Sequence, residues 1–246
     1  MSELEANLQS VQARIAAAAS RARRDPKSIT LVAVTKAQSP VAIRAAYDLG
    51  IRHFGENRVE EAEAKVGTLP RDITWHMIGH IQSRKASRVG PLFDLVHSVD
   101  SLKLARRLDR LTAERAKPLP VLLECNVSGE ETKYGFDASA WTKNGAQRQT
   151  LMAAMEEIVA LPNLQVQGLM TMAPIVADPE QARPVFVRLR QLRDELAKAF
   201  PGAAWRDLSM GMTDDFEVAV EEGATLVRVG RAIFEPALPP WRKGAI

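Results

Sequence analysis

LVAVTKAQSPVAIRAAYDLG, residues 31–50, holds one complete strand-to-helix unit. The apolar run 31–35 has strand character, and alternation places Val32, Val34 and Lys36 on one face. The helix that follows is well punctuated: Ser39 can cap it and Pro40 suits the first turn. Ala42, Ala45, Ala46 and Leu49 predict its apolar face, and Gly50 can close it. The odd feature is Lys36. An ammonium buried without a partner is costly, so a lysine at the end of an apolar strand either reaches solvent or reacts in a pocket.

The same unit recurs along the chain. Apolar runs LVAVT (31–35), RHFG (52–55), TWHMIG (74–79), DLVHSV (94–99), PVLLECNV (120–127), VQGLMTM (166–172), RDLSM (206–210) and TLVRVG (225–230) alternate with helical patterns. Leu104, Leu108 and Leu111 mark one such helix, and Val185, Leu189, Leu192 and Leu196 another. About eight strands, each followed by a helix, predict a single (β/α)8 TIM-type barrel. An extra N-terminal helix precedes it, with Leu4, Leu8, Val11 and Ile15 at helical spacing among polar residues. An open doubly wound sheet is the alternative architecture. No internal boundary is visible, so residues 1–246 read as one domain. The longest polar stretch, 128–149, is expected to be a mobile loop above the strand that ends at Asn126.

Composition narrows the function. The 33 Lys+Arg against 30 Asp+Glu leave a net charge of only +3, which gives no footprint for nucleic acid. The single cysteine, Cys125, cannot form an internal disulfide, and four scattered histidines offer no metal-ligand spacing. No apolar run reaches membrane-spanning length, and the first helix is amphipathic rather than a signal peptide. A cytoplasmic chain is expected.

In a parallel barrel the reactive face lies at the C-terminal strand ends. The residues there are Lys36, Glu56 and Asn57, Gly79 and His80, Ser98, Asn126, Met170, Ser209 and Arg228. First and last strands are neighbours in a closed barrel, so Lys36 and Arg228 can face each other, and two inward cations call for an anion. LSMGMTDDFEVAVEEG (208–223) and VRVGRAIFEP (227–236) place small residues where loops enter helices, the usual phosphate position of this fold. Asp214 and Asp215 are expected to cap, with their carboxylates turned from the ligand. A reactive lysine, an arginine beside it and a phosphate cradle together point to pyridoxal 5′-phosphate.

With LVAVTK, HFGENRVEEA, WHMIGHIQSRK, HSVDS, NVSGEETKYGF, GLMTMAP, LSMGMTDDFEVAVEEGAT and VRVGRAIFEP in this order, the chain resembles the pyridoxal phosphate homeostasis proteins. Their barrel is similar to the N-terminal domain of alanine racemase. The resemblance implies that Lys36 holds the cofactor aldehyde and that Ser209, Gly230 and Arg231 surround its phosphate. It also implies that Arg228 lies at the ring nitrogen and that Asn57 and Met210 lie along the pocket. Two positions depart from the family pattern: Arg84 stands where a small asparagine is expected, and Arg231 where threonine is common. The 139–149 stretch is also longer than usual.

Several of these residues have plainer readings. Lys36 alone reads as a surface lysine. His76 fits a hydrogen-bonded core residue, while His80 and Gln82 fit ligands or helix caps. Arg84, Lys85 and Arg88 read as a solvated helix face or as a second anion site, and Lys133 shares that ambiguity. No catalytic residue is assigned. Alanine racemase serves the second face of its substrate from a dimer with an additional β domain, which this chain is not expected to carry. The reading is therefore a monomeric carrier that supplies the cofactor to apo PLP-dependent enzymes. A single-domain racemase or transaminase is the alternative. A phosphosugar-type barrel enzyme would need a base, for which Glu56 is the candidate.

Overall fold

The computed structural model describes residues 1–235; the proline-rich tail 236–246, read from sequence as too short for a domain, lies outside the described residues. Nine strands are present among them: β1 (Thr30–Val34), β2 (His53–Glu56), β3 (Thr74–Met77), β4 (Leu95–Val99), β5 (Leu119–Asn126), β6 (Phe136–Asp137), β7 (Leu164–Met170), β8 (Asp207–Ser209) and β9 (Leu226–Val229). The helices are α1 (Glu3–Arg21), α2 (Pro40–Asp48), α3 (Val59–Val66), α4 (Val89–Leu92), α5 (Leu102–Leu111), α6 (Gly145–Val159), α7 (Arg183–Ala199), α8 (Phe216–Glu221) and α9 (Arg231–Phe234). The strands run in the order β4-β3-β2-β1-β9-β8-β7-β5, and β4 also pairs with β5, so the parallel sheet closes on itself. This is the expected barrel. The open sheet is excluded by the β1–β9 and β4–β5 pairings.

Closure leaves two apolar layers. The larger lies between strands and helices and includes Ile43, Phe54, Trp75, Leu108, Leu123, Phe186 and Phe216. The smaller is the barrel interior, where Val32, Leu95, Leu122, Met170 and Leu226 meet. Ser2 caps α1, accepting from the Glu5 N–H, and Leu8, Val11, Ile15, Ala18 and Ala19 bury its apolar stripe. Arg14 and Arg21 of α1 pair with Glu217 and Glu221 of α8, which seats the extra helix beside the last barrel unit.

Local expectations hold with adjustments. Ser39 accepts from the Ala42 N–H, and Gly50 takes a φ of +100° as α2 ends. The buried face of α2 is Ile43 and Ala46, however, while Ala45 and Leu49 are exposed. Four apolar residues do not define one stripe when several of them are alanines. Residues 128–149 do not form a free loop. β6 pairs with β5, the Asn126 side chain donates to Glu130 O and accepts from the Gly129 N–H, and Trp141 is buried. Lys133 donates to Met172 O at 3.0 Å and pairs with Glu130, which ties the segment to the end of the neighbouring β7.

Candidate functional site

Lys36 lies two residues beyond β1, in a turn in which Ala37 has a φ of +59°, and its side chain is exposed. The ammonium has no ion pair or hydrogen bond among the described residues. Its backbone, by contrast, is firmly held. The Ala37 N–H donates to Glu61 Oε2 at 3.0 Å, and Lys65 Nζ donates to Thr35 O at 2.9 Å and to Glu56 Oε1 at 2.8 Å. Glu56 is fully buried and also accepts from the Thr35 hydroxyl at 2.6 Å. Burial raises its carboxyl above the usual range, against the pull of Lys65 and Thr35. Glu56 is thus the anchor of the Lys36 turn and is closed off from any substrate.

Arg228 approaches from the neighbouring strand, opposite Val32 in the β1–β9 register. It is 4% exposed, and its guanidinium donates to the Ser209 hydroxyl and, at 2.9 Å, to Thr171 O. Burial lowers its pKa to about 10, opposed by Asp215 and Glu124, so the group remains a cation at neutral pH. No carboxylate forms an ion pair with it among the described residues. A buried guanidinium with spare donors and no carboxylate in direct contact is open to a further acceptor.

The loops above β8 and β9 supply backbone donors. Gly211 has a φ of +92°, and a Cβ there would stand 2.5 Å from Ala219 Cβ, so only glycine lets this loop pack on α8. Asp215 stands at the N-cap position of α8, but its side chain makes no cap bond to that helix; it accepts instead from the Met212 N–H at 2.6 Å. Asp214 pairs instead with Arg231, whose side chain is exposed. The N–H groups of Thr213 and Gly230 have no hydrogen-bond partner among the described residues. Arg231 and Ala232 open α9, where amides lack helical partners by geometry.

The remaining residues named from sequence divide. Asn57 stands at the end of β2 with Oδ1 buried and unpartnered, and Gly79 packs so closely that a Cβ would lie 2.3 Å from Asn57 O. The Ser209 hydroxyl is buried in the interior between Arg228 and His97, and Met210 packs its side chain into the outer layer. Arg84, Lys85 and Arg88 occupy a 3-10 segment, where Lys85 and Arg88 pair with Glu60 and Glu63, as a solvated face would. His80 meets Asp100 at 2.8 Å and stacks on Tyr134 with centroids 4.0 Å apart.

Two groups escaped sequence reasoning. Glu124 on β5 is buried, and its carboxyl is pushed up to about 7 by desolvation and by Asp100, with Arg228 opposing. His53 and His97 join His76 in a hydrogen-bonded chain that ends on Ser209. The signal was present as a histidine in each of three consecutive strand runs, RHFG, TWHM and LVHS.

Among the described residues the fold is one closed parallel barrel, with an exposed lysine just beyond β1 and a buried arginine on the adjacent β9. The family model "Alanine racemase, N-terminal domain" matches residues 6–237. The pyridoxal phosphate homeostasis protein of Pseudomonas aeruginosa is 40% identical over 237 residues, covering 95% of this chain and 96% of the relative. That of Aquifex aeolicus is 40% identical, covering 92% and 95%. The solved structure of PipY from Synechococcus elongatus with PLP bound superposes with a TM-score of 0.78 at 36% identity, covering 94% of this chain and 99% of that one. An alanine racemase of Clostridium difficile shares the fold at 14% identity and a TM-score of 0.70, covering 97% of this chain and 60% of that one. The chain belongs to the pyridoxal phosphate homeostasis protein family, a branch of the alanine racemase N-terminal domain fold.

Proposed function

We propose that this chain binds pyridoxal 5′-phosphate at the C-terminal mouth of the barrel and serves intracellular supply of that cofactor from the cytoplasm. The observation that carries the reading is an exposed, unpartnered Lys36 just beyond β1 together with a buried Arg228 on the adjacent β9 that has no carboxylate in direct contact. When bound, the cofactor supplies an aldehyde that condenses with an amine and a ring that withdraws electrons. Lys36 is the amine within this mouth. Its turn is fixed by Glu61 and by the Glu56–Lys65 pair, while its side chain stays free to reach the aldehyde. The free amides of Thr213 and Gly230, with those opening α9, offer donors to a phosphate, and Arg231 adds charge at the rim. Arg228 donates toward the ring nitrogen, and Ser209 holds Arg228. Asn57 contributes a buried oxygen without a partner, and Met210 contributes backbone only.

A guanidinium only donates, so Arg228 keeps the ring nitrogen unprotonated and weakens the ring as an electron sink. The proposed role is therefore a carrier without substantial catalysis, acting as a monomer and delivering to apo PLP-dependent enzymes. A single-barrel racemase or transaminase is the competing reading, supported by the shared fold alone.

Borohydride reduction of the loaded protein followed by peptide mass analysis is expected to place the pyridoxyl mass on Lys36. Its appearance on Lys85 or Lys133 instead would refute the assignment. Chiral analysis after long incubation with common amino acids is expected to show no conversion, and an added PLP-free enzyme is expected to recover activity. Turnover of one amino acid at about 1 per second or faster would overturn the carrier role.

A further inference from the structure

The barrel interior contains a polar track that the binding reading does not use. His53 Nδ1 lies 3.0 Å from His76 Nε2, His76 Nδ1 lies 2.9 Å from His97 Nε2, and His97 Nδ1 lies 2.8 Å from the Ser209 hydroxyl. Ser209 in turn accepts from Arg228. The track crosses β2, β3, β4, β8 and β9. In the strand register Gly55 faces His76 and His76 faces Leu95, so each histidine sits two residues beyond its predecessor's partner. It begins at His53, which is half-buried and lines a cavity at the base of the barrel with Thr30 and Arg52, and it ends at the last residue of β8.

Proton counting along the track gives one answer. His76 and His97 are buried, and burial lowers both far below the ordinary imidazole range, His76 to about 3, so both are neutral with one N–H each. Arg228 can only donate, which occupies one lone pair of Ser209 and leaves the hydroxyl one proton to place. Suppose the imidazoles carried their protons on Nδ1. His97 would then also donate to Ser209, and the hydroxyl hydrogen would have no acceptor among the described residues. The opposite arrangement satisfies every group. Ser209 donates to His97 Nδ1, His97 Nε2–H donates to His76 Nδ1, and His76 Nε2–H donates to His53 Nδ1. His53 then turns its own Nε2–H to the open base. Beyond the track, Asp94 is the charged group that acts on His53, while Glu124 and Asp215 act on Arg228.

We propose that His53, His76 and His97 are positioning residues for Arg228: a chain of neutral Nε2–H imidazoles that aims the Ser209 hydroxyl and so fixes the guanidinium that meets the cofactor's ring nitrogen. This rests on the binding reading above. It explains why three histidines occupy a barrel interior that aliphatic residues would fill more cheaply. It also gives Arg228, which lacks a carboxylate, a fixed orientation.

Two measurements test it. Nitrogen-15 imidazole spectra of the cofactor-free protein at neutral pH are expected to show His76 and His97 neutral with the proton on Nε2. A doubly protonated ring or an Nδ1–H form at either position overturns the chain, whatever the ligand. The second measurement compares binding of pyridoxal phosphate with binding of its carbon analogue, in which CH replaces the ring nitrogen. His76→Phe removes the acceptor for His97 Nε2–H and is expected to weaken pyridoxal phosphate roughly three- to tenfold. The carbon analogue, with no ring nitrogen for Arg228 to meet, should bind as it does to the wild type. His76→Gln, which keeps an acceptor and a donor, should restore the difference and covers the case in which the phenylalanine variant does not fold. Equal weakening of both compounds, or of neither, overturns the positioning role. If neither compound binds the wild-type protein, the binding reading itself fails, and the spectra still judge the chain.

Discussion

Replacing Lys65 by methionine tests the anchor of the Lys36 turn. Lys65 Nζ lies 2.8 Å from Glu56 Oε1, 2.9 Å from Thr35 O and 3.6 Å from Glu61 Oε2, in a side chain that is 9% exposed. Glu56 is fully buried, and its Oε2 already lacks a partner. Removing one member of a buried pair leaves the other uncompensated, which costs about 3–5 kcal/mol. The sign with pH follows from Glu56. Its folded pKa is raised above the ordinary 4.5, so its contribution is most favourable at or below that value and is lost as pH rises toward the folded pKa. Without Lys65 the folded pKa climbs further, and the loss extends to higher pH. Lys65→Met should therefore lower the unfolding free energy from urea titration by about 3 kcal/mol or more at pH 8, and by at least about 1 kcal/mol less at pH 5. A second substitution, Glu56→Gln, should recover part of the loss at pH 8 by removing the stranded charge. A loss equal at both pH values, or below about 1 kcal/mol, would refute the buried-pair reasoning.

Other parts of the mouth make separate predictions. Gly211→Ala puts a Cβ 2.5 Å from Ala219 Cβ and 2.8 Å from Phe216 Cα at a φ of +92°, so thermal denaturation should show a destabilisation of about 2–3 kcal/mol. An unchanged midpoint would mean that the loop shifts freely. Glu124 has its carboxyl raised to about 7, so wild-type stability should fall as pH climbs from 5 to 8, by at most about 3 kcal/mol. Glu124→Gln should flatten that decline in chemical denaturation, and an identical slope would show that Glu124 ionises normally.

The barrel was legible because its signal is local and repeated. Each strand run is bounded by polar or small residues, and Ser39, Ser101 and Asn144 cap helices through the neighbouring N–H groups. What the sequence concealed depends on register across strands. Alternation places Arg228 inward correctly but does not show that Ser209 belongs beneath it, because Ser209 pairs with Leu226 rather than with Arg228 in the strand register. Met210 has the opposite parity to Ser209 and goes to the outer layer, although the two are adjacent in sequence. His53, His76 and His97 each look like an isolated strand residue. Only the two-residue offset between successive strands brings their ring nitrogens within 3.0 Å. Residues 128–149 misled by composition. Polar side chains such as Asn126, Lys133 and Gln147 fold that segment by bonding backbone and neighbours rather than by apolar periodicity.

Lys36 and Arg228 are held in opposite ways. Arg228 is immobilised: its guanidinium is committed to Ser209 and Thr171 O in a planar fork, within strands whose neighbours bury it. An ammonium could not make that arrangement, since it lacks the fork. Lys36 is the reverse, with a fixed backbone and a free side chain. On the proposed function, a ligand attached through the exposed amine and oriented by the buried guanidinium would be held at one reversible point and one rigid point. Release would then break the bond to Lys36 at a position open to water, while the orienting group stays in place for the next molecule. A racemase would need a base on each face of the reacting carbon. Here the lysine faces solvent, and the nearby buried carboxyl of Glu56 is occupied by Lys65 and Thr35. On the proposed function, that division of labour suits loading and delivery better than racemisation.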